Sequence, residues 1–382
     1  MPGRSRESIQ RELKTRYRNL DELQERQAKF GINTPIDLIN QIHDERQAIA
    51  GLEEELKHAA VAEGPADASL TAEKRGRSTS IQTLDDRDWD NLLRRVKDGN
   101  CTPFLGPGLS AELLPSDYEI AQAWAEEHRY PLGDDDNLPR VAQFLAIIRD
   151  PAFPAEDIAR RWQNLKTRPN YREAAEPHSF LAGLPLPLYI TTNYDDFMFQ
   201  ALNYRLRPAT RELCRWNPYV RDLPSVFDPG STTEISPTNP IVYHLFGHAQ
   251  LPESMVLTED EYLDFLVNIS RDQNIIPRRI QKALVNTSLL FIGYELTDWR
   301  FRVLFRGLIA SLERSLRRTR VAIQLAPESP EIAGITADHV RWYFEDYLAK
   351  DDVRIYWGSS FDFIKELHER WTDFNERNEV PS

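Results

Sequence analysis

Short, unbroken apolar runs recur along this chain from Cys101 onward, and helix-spaced patterns fall between them. The runs are Cys101–Leu105, Leu188–Thr192, Pro240–His248, Ser288–Ile292, Arg320–Leu325 and Val353–Trp357. Runs of this length that show no polar alternation read as strands buried on both faces. Between them, apolar residues return at helical spacing: Trp89, Leu92, Leu93 and Val96; Tyr262, Phe265 and Leu266; Phe301, Leu304, Phe305 and Leu308. Strands alternating with helices imply an α/β fold, a Rossmann-like and mainly parallel sheet covered on both sides. Between the first two runs lies a long stretch with helical spacing (Ile120, Trp124, Val141, Phe144, Leu145, Ile148, Ile158, Trp162), read as a helical insertion of about 112–178 that could wall a cleft. Leu202 to Pro240 is rich in Pro, Arg and Asn and reads as an excursion rather than core.

Several runs end on residues that carry chemistry. Leu188–Thr192 leads straight into Asn193, Tyr194 and Asp195, which puts polar side chains at a strand's carboxyl end, where open α/β sheets bind ligands. An Asn/Asp turn with a helix cap would account for that segment taken alone. Cys101–Leu105 runs into Gly106, Pro107, Gly108, Leu109, Ser110 and Ala111, a G-x-G-x-x-A pattern before a helical stretch. Glycines let backbone approach phosphate oxygens, and a following helix would offer its free N–H groups to negative charge. A tight strand-to-helix turn is the plainer explanation of a lone motif of this kind. The third run carries His244, Phe246, Gly247 and His248, and the fourth ends on Gly293 and Tyr294. Thr258 and Glu261 form a capping-box pattern after the third.

The chain has 382 residues, more than one ordinary compact domain needs. Residues 1–60 show narrow apolar stripes interrupted by Gly31, Asn33 and Pro35, the pattern of a helical hairpin with too little apolar surface to stand alone. It is expected to serve oligomerisation or a partner. Residues 61–82 are Ala-, Gly-, Ser- and charge-rich and read as a linker, leaving 83–382 as the main domain. A net charge of −13 argues against direct, sequence-specific nucleic-acid binding. Two widely separated cysteines give no disulfide framework and suit a reducing, cytoplasmic setting, and no run is long enough to span a bilayer.

Four landmarks stand in order: FLGPGLS at Phe104–Ser110, TTNYD at Thr191–Asp195, YHLFGH at Tyr243–His248 and FIGYELTD at Phe291–Asp298. The ordered set resembles the sirtuin-like superfamily, and within it the prokaryotic branch that hydrolyses NAD in antiviral defence. The resemblance covers roughly Leu84 to the C-terminus. It implies that Gly106, Pro107, Gly108 and Ser110 cradle the pyrophosphate. It implies that Asn193 holds the nicotinamide-ribose region and positions the attacking water, with Asp195 supporting the ribose or Asn193. Gly293 and Tyr294 would face the adenosine side, and Thr192 and Gly247 are counted among the dinucleotide-binding residues. Members of the family place a catalytic histidine directly before the glycine of the third landmark. Here that position is Phe246. His244, two residues upstream and so on the same strand face as Phe246, is the expected substitute. A His244/His248 metal pair is disfavoured, because Gly247 and the strand context spoil a helical face, and no metal is expected.

Classical sirtuin deacylases hold a structural zinc with paired C-x-x-C motifs, and two distant cysteines cannot build one. Water is then the expected acceptor and the products nicotinamide and ADP-ribose. A non-catalytic NAD or ADP-ribose sensor is the alternative, and a protein deacylase a weaker one. The hairpin resembles partner-recognition modules of prokaryotic effectors, so the activity is expected to be gated by homo-oligomeric assembly or by a partner such as a HerA-type ATPase.

Overall fold

A computed structural model describes residues 84–295 except 232, then 298, 300, 301, 305, 320–324, 337–349 and 353–379, with isolated N-terminal positions 12, 16, 19, 23, 41, 45, 48 and 52. The chain divides into two compact units, Met1–Ser80 and Ile81–Ser382. Most of the expected hairpin and the whole linker lie outside the described residues. Within the first unit, Arg16 and Asn19 both hydrogen-bond the Glu45 carboxylate, at 2.5 and 3.0 Å.

The second unit is built on a seven-stranded sheet in the order β3-β4-β2-β1-β5-β6-β7. The strands are β1 (Cys101–Leu105), β2 (Leu188–Thr191), β3 (Thr210–Leu213), β4 (Ile241–His244), β5 (Ser288–Ile292), β6 (Arg320–Gln324) and β7 (Val353–Trp357). Every neighbouring pair is parallel, with Leu105 opposite both Thr191 and Ile292, and Thr191 opposite His244. The carboxyl ends of β2, β1 and β5 therefore finish level with one another. The order reverses between β1 and β5, because β2 to β4 fill one side of β1 and β5 to β7 the other. Such a reversal opens a crevice beyond the strand ends.

Alternate side chains feed two cores. Phe104, Ile190, Tyr243, Phe291 and Ile355 point to one face. Leu105, Tyr189, Val242, Leu290, Ile292 and Ile323 point to the other. The strands are apolar throughout because both faces are covered. The first face is covered by α7 (Glu259–Arg271), α8 (Arg278–Asn286) and α9 (Ala337–Ala349) through Phe265, Ile280 and Phe344. The second is covered by α1 (Asp86–Lys97), α5 (Pro177–Gly183), α6 (Phe197–Tyr204) and α10 (Ser360–Glu379) through Trp89, Phe180, Met198 and Phe363. Burial of side chains this size stabilises the fold by about 1.5–3 kcal/mol each. Helix starts are chemically marked: Asp85 with Asp88 caps α1, and Thr258 with Glu261 caps α7 in the expected box.

A helical segment precedes α5 between β1 and β2. It consists of α2 (Asp117–His128), α3 (Leu138–Ile148) and α4 (Phe153–Gln163). Their small core of Trp124, Val141, Leu145 and Ile158 also takes in Met255 and Leu257 from the segment after β4. Ion pairing and hydrogen bonding from Arg140 to Glu259 and from Gln143 to Asp260 tie α3 to the start of α7.

Two expectations are corrected. The Leu202–Pro240 stretch is not all excursion: Thr210–Leu213 is the edge strand β3, parallel to β4. Its sequence, TREL, reads as polar because an edge strand covered on fewer sides needs fewer apolar residues. The glycine turn after β1 also does not run directly into a helix. Pro107–Leu109 form one 3-10 turn, and α2 begins only at Asp117, capped by Ser116.

Candidate active site

At the reversal point two turns touch backbone to backbone. Gly106 N–H donates to Ile292 O at 2.8 Å and Gly108 N–H to Gly293 O at 2.9 Å. A Cβ on Gly106 would lie 2.6 Å from Gly293 O, and one on Gly293 would lie 2.5 Å from Leu109 N. Gly293 has φ +82°, open to glycine and strained for other residues. These glycines thus hold the two lips of the crevice together. Part of the N–H supply expected for phosphate is already used within the fold.

The paired threonines explain how Asn193 is held. Thr191 Oγ1 donates to Leu105 O at 3.1 Å and accepts from Asn193 N–H at 3.0 Å. Tyr294 O–H donates to Leu105 O at 3.1 Å, so Thr192 donates its hydroxyl to Tyr294 at 3.0 Å. Asn193 Nδ2 donates to Gly106 O at 3.1 Å, which turns Oδ1 the other way. Asn193 Oδ1 is buried and has no partner among the described residues. Asp195 turns back to accept from Phe197 N–H at 2.9 Å and meets Ser110 Oγ at 3.5 Å. Asn193, Thr192, Asp195, Gly106, Ser110, Gly293 and Tyr294 are therefore brought together. Pro107 and Gly108 belong to the same turn.

His244 ends β4 and is 1% exposed. Its Nδ1 lies 3.2 Å from Asn193 O, an acceptor, so the ring proton sits on Nδ1. Nε2 is left as a buried lone pair without a partner among the described residues. The shared strand face expected for His244 and Phe246 is corrected. β4 stops at His244, and Phe246 packs edge-on against Tyr262 and Phe265 of α7 instead. The reason given against a His244/His248 pair is corrected too. Gly247, at φ +84° and with Ser254 O only 2.2 Å from the position of a Cβ, turns the chain so that the two rings meet edge to face at 4.7 Å.

Asp196 joins them, with ligand-type atoms of Asp196, His244 and His248 all within 4.8 Å of one another. A cation could be entertained there, but the hydrogen bonds fit it poorly. His248 Nδ1 accepts Gln250 N–H at 3.0 Å, which leaves the ring proton on Nε2, donated to Asp196 Oδ1 at 2.8 Å. Asp196 also receives Arg211 Nη2 at 2.7 Å and Gln250 Nε2 at 2.9 Å. A metal at this place would have to displace a proton and stand beside a guanidinium.

Burial, aided by the neighbouring His248, pushes the His244 imidazole down to about 3, so it is neutral at physiological pH. Burial raises the Asp195 carboxyl above its ordinary value. Burial acts on Asp196 in the same sense, but the hydrogen bond from His248 and the charge of Arg211 outweigh it and hold that carboxyl below the usual range. A second pair is formed by Glu176 and His178 Nδ1, which meet at 2.7 Å.

Asp196, Arg211, Glu176 and His178 are the residues that sequence reasoning missed. The doubled acid after Asn193-Tyr194 was a signal for Asp196. Nothing in the sequence marked Arg211, which comes from the overlooked edge strand.

Residues 187–350 match the family model described as a SIR2-like domain. The glycine turn Gly106–Ser110 precedes that match and joins it through β1, which lies between β2 and β5. The chain is 24% identical over 216 residues to NAD(+) hydrolase ThsA of Acinetobacter baumannii (strain 532279), covering 55% of this chain and 39% of that protein. It is 26% identical over 254 residues to NAD(+) hydrolase ThsA of Bacillus cereus (strain MSX-D12), covering 63% and 46%. A third similarity, 28% over 130 residues, is to NAD(+) hydrolase ThsA of Enterococcus faecium and covers 33% and 23%. The aligned region spans less than half the length of each of these curated relatives. With its parallel sheet, its glycine-lined reversal point and the match over residues 187–350, this part of the chain is similar to a SIR2-like domain.

Proposed function

We propose that the Ile81–Ser382 unit binds NAD and hydrolyses its nicotinamide–ribose bond. The observation that carries this is a pair of buried acceptors, Asn193 Oδ1 and His244 Nε2, that lack donors among the described residues beside a glycine-lined crevice. Buried acceptors are normally paired, so a ligand here is expected to bring O–H groups. Ribose hydroxyls and an attacking water both supply them. The names of the similar hydrolases point to the same substrate.

In this reading the turn Gly106–Ser110 receives the pyrophosphate. Gly293 and Tyr294 lie toward the adenosine, with Thr192 bonded to Tyr294, and Gly247 completes the binding set from the turn after β4. Asn193 orients water, and Asp195 supports Asn193 and the ribose. Nicotinamide in NAD is a pyridinium and leaves as a neutral molecule with the bonding pair. Water adds to C1′ and releases one proton, giving ADP-ribose. The transition state carries positive charge on the sugar, so neutral dipoles that favour it suffice and no strong acid is needed at the leaving group. A neutral His244 and an amide fit that demand.

The test is free nicotinamide measured after incubating the full-length chain with NAD. Asn193→Ala is expected to lower turnover by about a hundredfold or more while the melting temperature holds. Retained turnover in that variant would place the chemistry elsewhere.

The placement of Phe246, at the position where the resemblance expects a catalytic histidine, favours one second reading, a non-catalytic sensor of NAD or ADP-ribose. Calorimetric binding of NAD without nicotinamide release would select it. We further place the activity in prokaryotic antiphage defence by NAD depletion, gated by homo-oligomeric assembly or by a partner such as a HerA-type ATPase. That gating is expected because unrestrained NAD loss is toxic.

A further inference from the structure

Asp196 and His248 have no part in the hydrolysis as described, yet they are the most heavily hydrogen-bonded groups beside it. Asp196 takes three donors, from His248, Arg211 and Gln250. Arg211 reaches in from β3, with its guanidinium 4.5 Å from the centre of the Phe199 ring on α6. His248 is fixed at three points: its backbone N–H by Ser254 Oγ at 2.9 Å, Nδ1 by Gln250 N–H, and Nε2 by Asp196. Its ring then stands at 90° to His244, centroids 4.7 Å apart. Burying a charged group inside such an array is costly unless every partner is satisfied, and replacing it with apolar packing is often no less stable. Simple clamping of the β2 and β4 turns would not require this arrangement of protons.

We propose that Asp196 and His248 are positioning residues for His244, Asp196 holding His248 in its Nε2–H form and the His248 ring fixing His244 so that the His244 Nε2 lone pair is kept for the ribose hydroxyls of the dinucleotide. The proposal rests on the hydrolase reading and deepens it. Asp196 sets the proton on His248. His248 sets the plane of His244 by edge-to-face contact. The Asn193 carbonyl sets the proton of His244 on Nδ1. The two histidines are thereby held in opposite tautomers, one donating to a carboxylate and the other presenting an acceptor.

The test uses the full chain with ring-¹⁵N histidine, read by NMR, alongside steady-state nicotinamide release. The wild type is expected to show His248 protonated at Nε2 and His244 at Nδ1. In Asp196→Asn the His248 signal moves toward a mixture of tautomers, and the His244 ring signals move with it. His248→Ala is expected to lower kcat about tenfold or more with KM for NAD little changed, and His248→Phe, which keeps a ring edge against His244, recovers part of the loss. If Asp196→Asn does not fold, the Phe/Ala pair still decides. Protonation of wild-type His248 at Nδ1, His244 signals unmoved in Asp196→Asn, or equal losses in Phe and Ala would overturn the proposal. If the wild type releases no nicotinamide the hydrolase reading falls, and the ring-nitrogen signals alone judge the positioning.

Discussion

A buried imidazole that stays neutral leaves a thermodynamic trace. The folded His244 titrates near 3, well below its ordinary value of 6.5. Between those values the unfolded chain binds a proton that the native one does not, so stability is complete above the unfolded value and falls as pH drops toward 3. Asp196, held low, acts in the same direction at the acid end, and Asp195, held high, opposes it. Denaturant unfolding from pH 7 to pH 4 is therefore expected to show falling stability, with a shallower slope in His244→Gln. An equal slope in that variant would show that other groups carry the acid sensitivity. Sequence alone brought Asn193, His244 and the glycines to notice, since each sits where a strand ends. It could not show that His244 would be sealed or that Phe246 would turn away toward α7. Those facts depend on where β4 stops, and the boundary of a strand is fixed by its neighbours.

Among elements, the strands were legible wherever both faces are covered, because continuous apolar runs admit few other folds. β3 escaped notice because Arg211 and Glu212 serve side-chain networks at the edge: Arg211 pairs with Asp196, and Glu212 accepts Ser225 Oγ and Val226 N–H. A similar hidden device joins α5 to β2. Arg207 donates to Ala182 O and Leu184 O at 2.6 Å and to Leu186 O at 2.7 Å, closing carbonyls that the short helix leaves open. Hydrogen bonds to a charged group contribute about 1.5–3 kcal/mol each, less where water replaces them. Arg207→Ala is expected to cost roughly 2–3 kcal/mol in urea unfolding, chiefly by loosening the approach to β2. A loss within a few tenths would show that water satisfies those carbonyls as well.

For the whole molecule, the chain divides at Ser80 into two compact units. Removing Met1–Ser80 is expected to leave the melting temperature of the remaining unit close to that of the full chain, because its cores are drawn from residues beyond that boundary. The same deletion is expected to reduce the oligomeric mass measured by light scattering. An unchanged mass would remove the assembly role from the N-terminal unit. The meeting of Gly106, Gly108 and Gly293 has one more consequence. With bare main chain on both sides there is no side chain to rotate aside, so those two lips travel as a single rigid jaw. Any widening for a molecule as long as a dinucleotide must therefore come from elsewhere than these glycines.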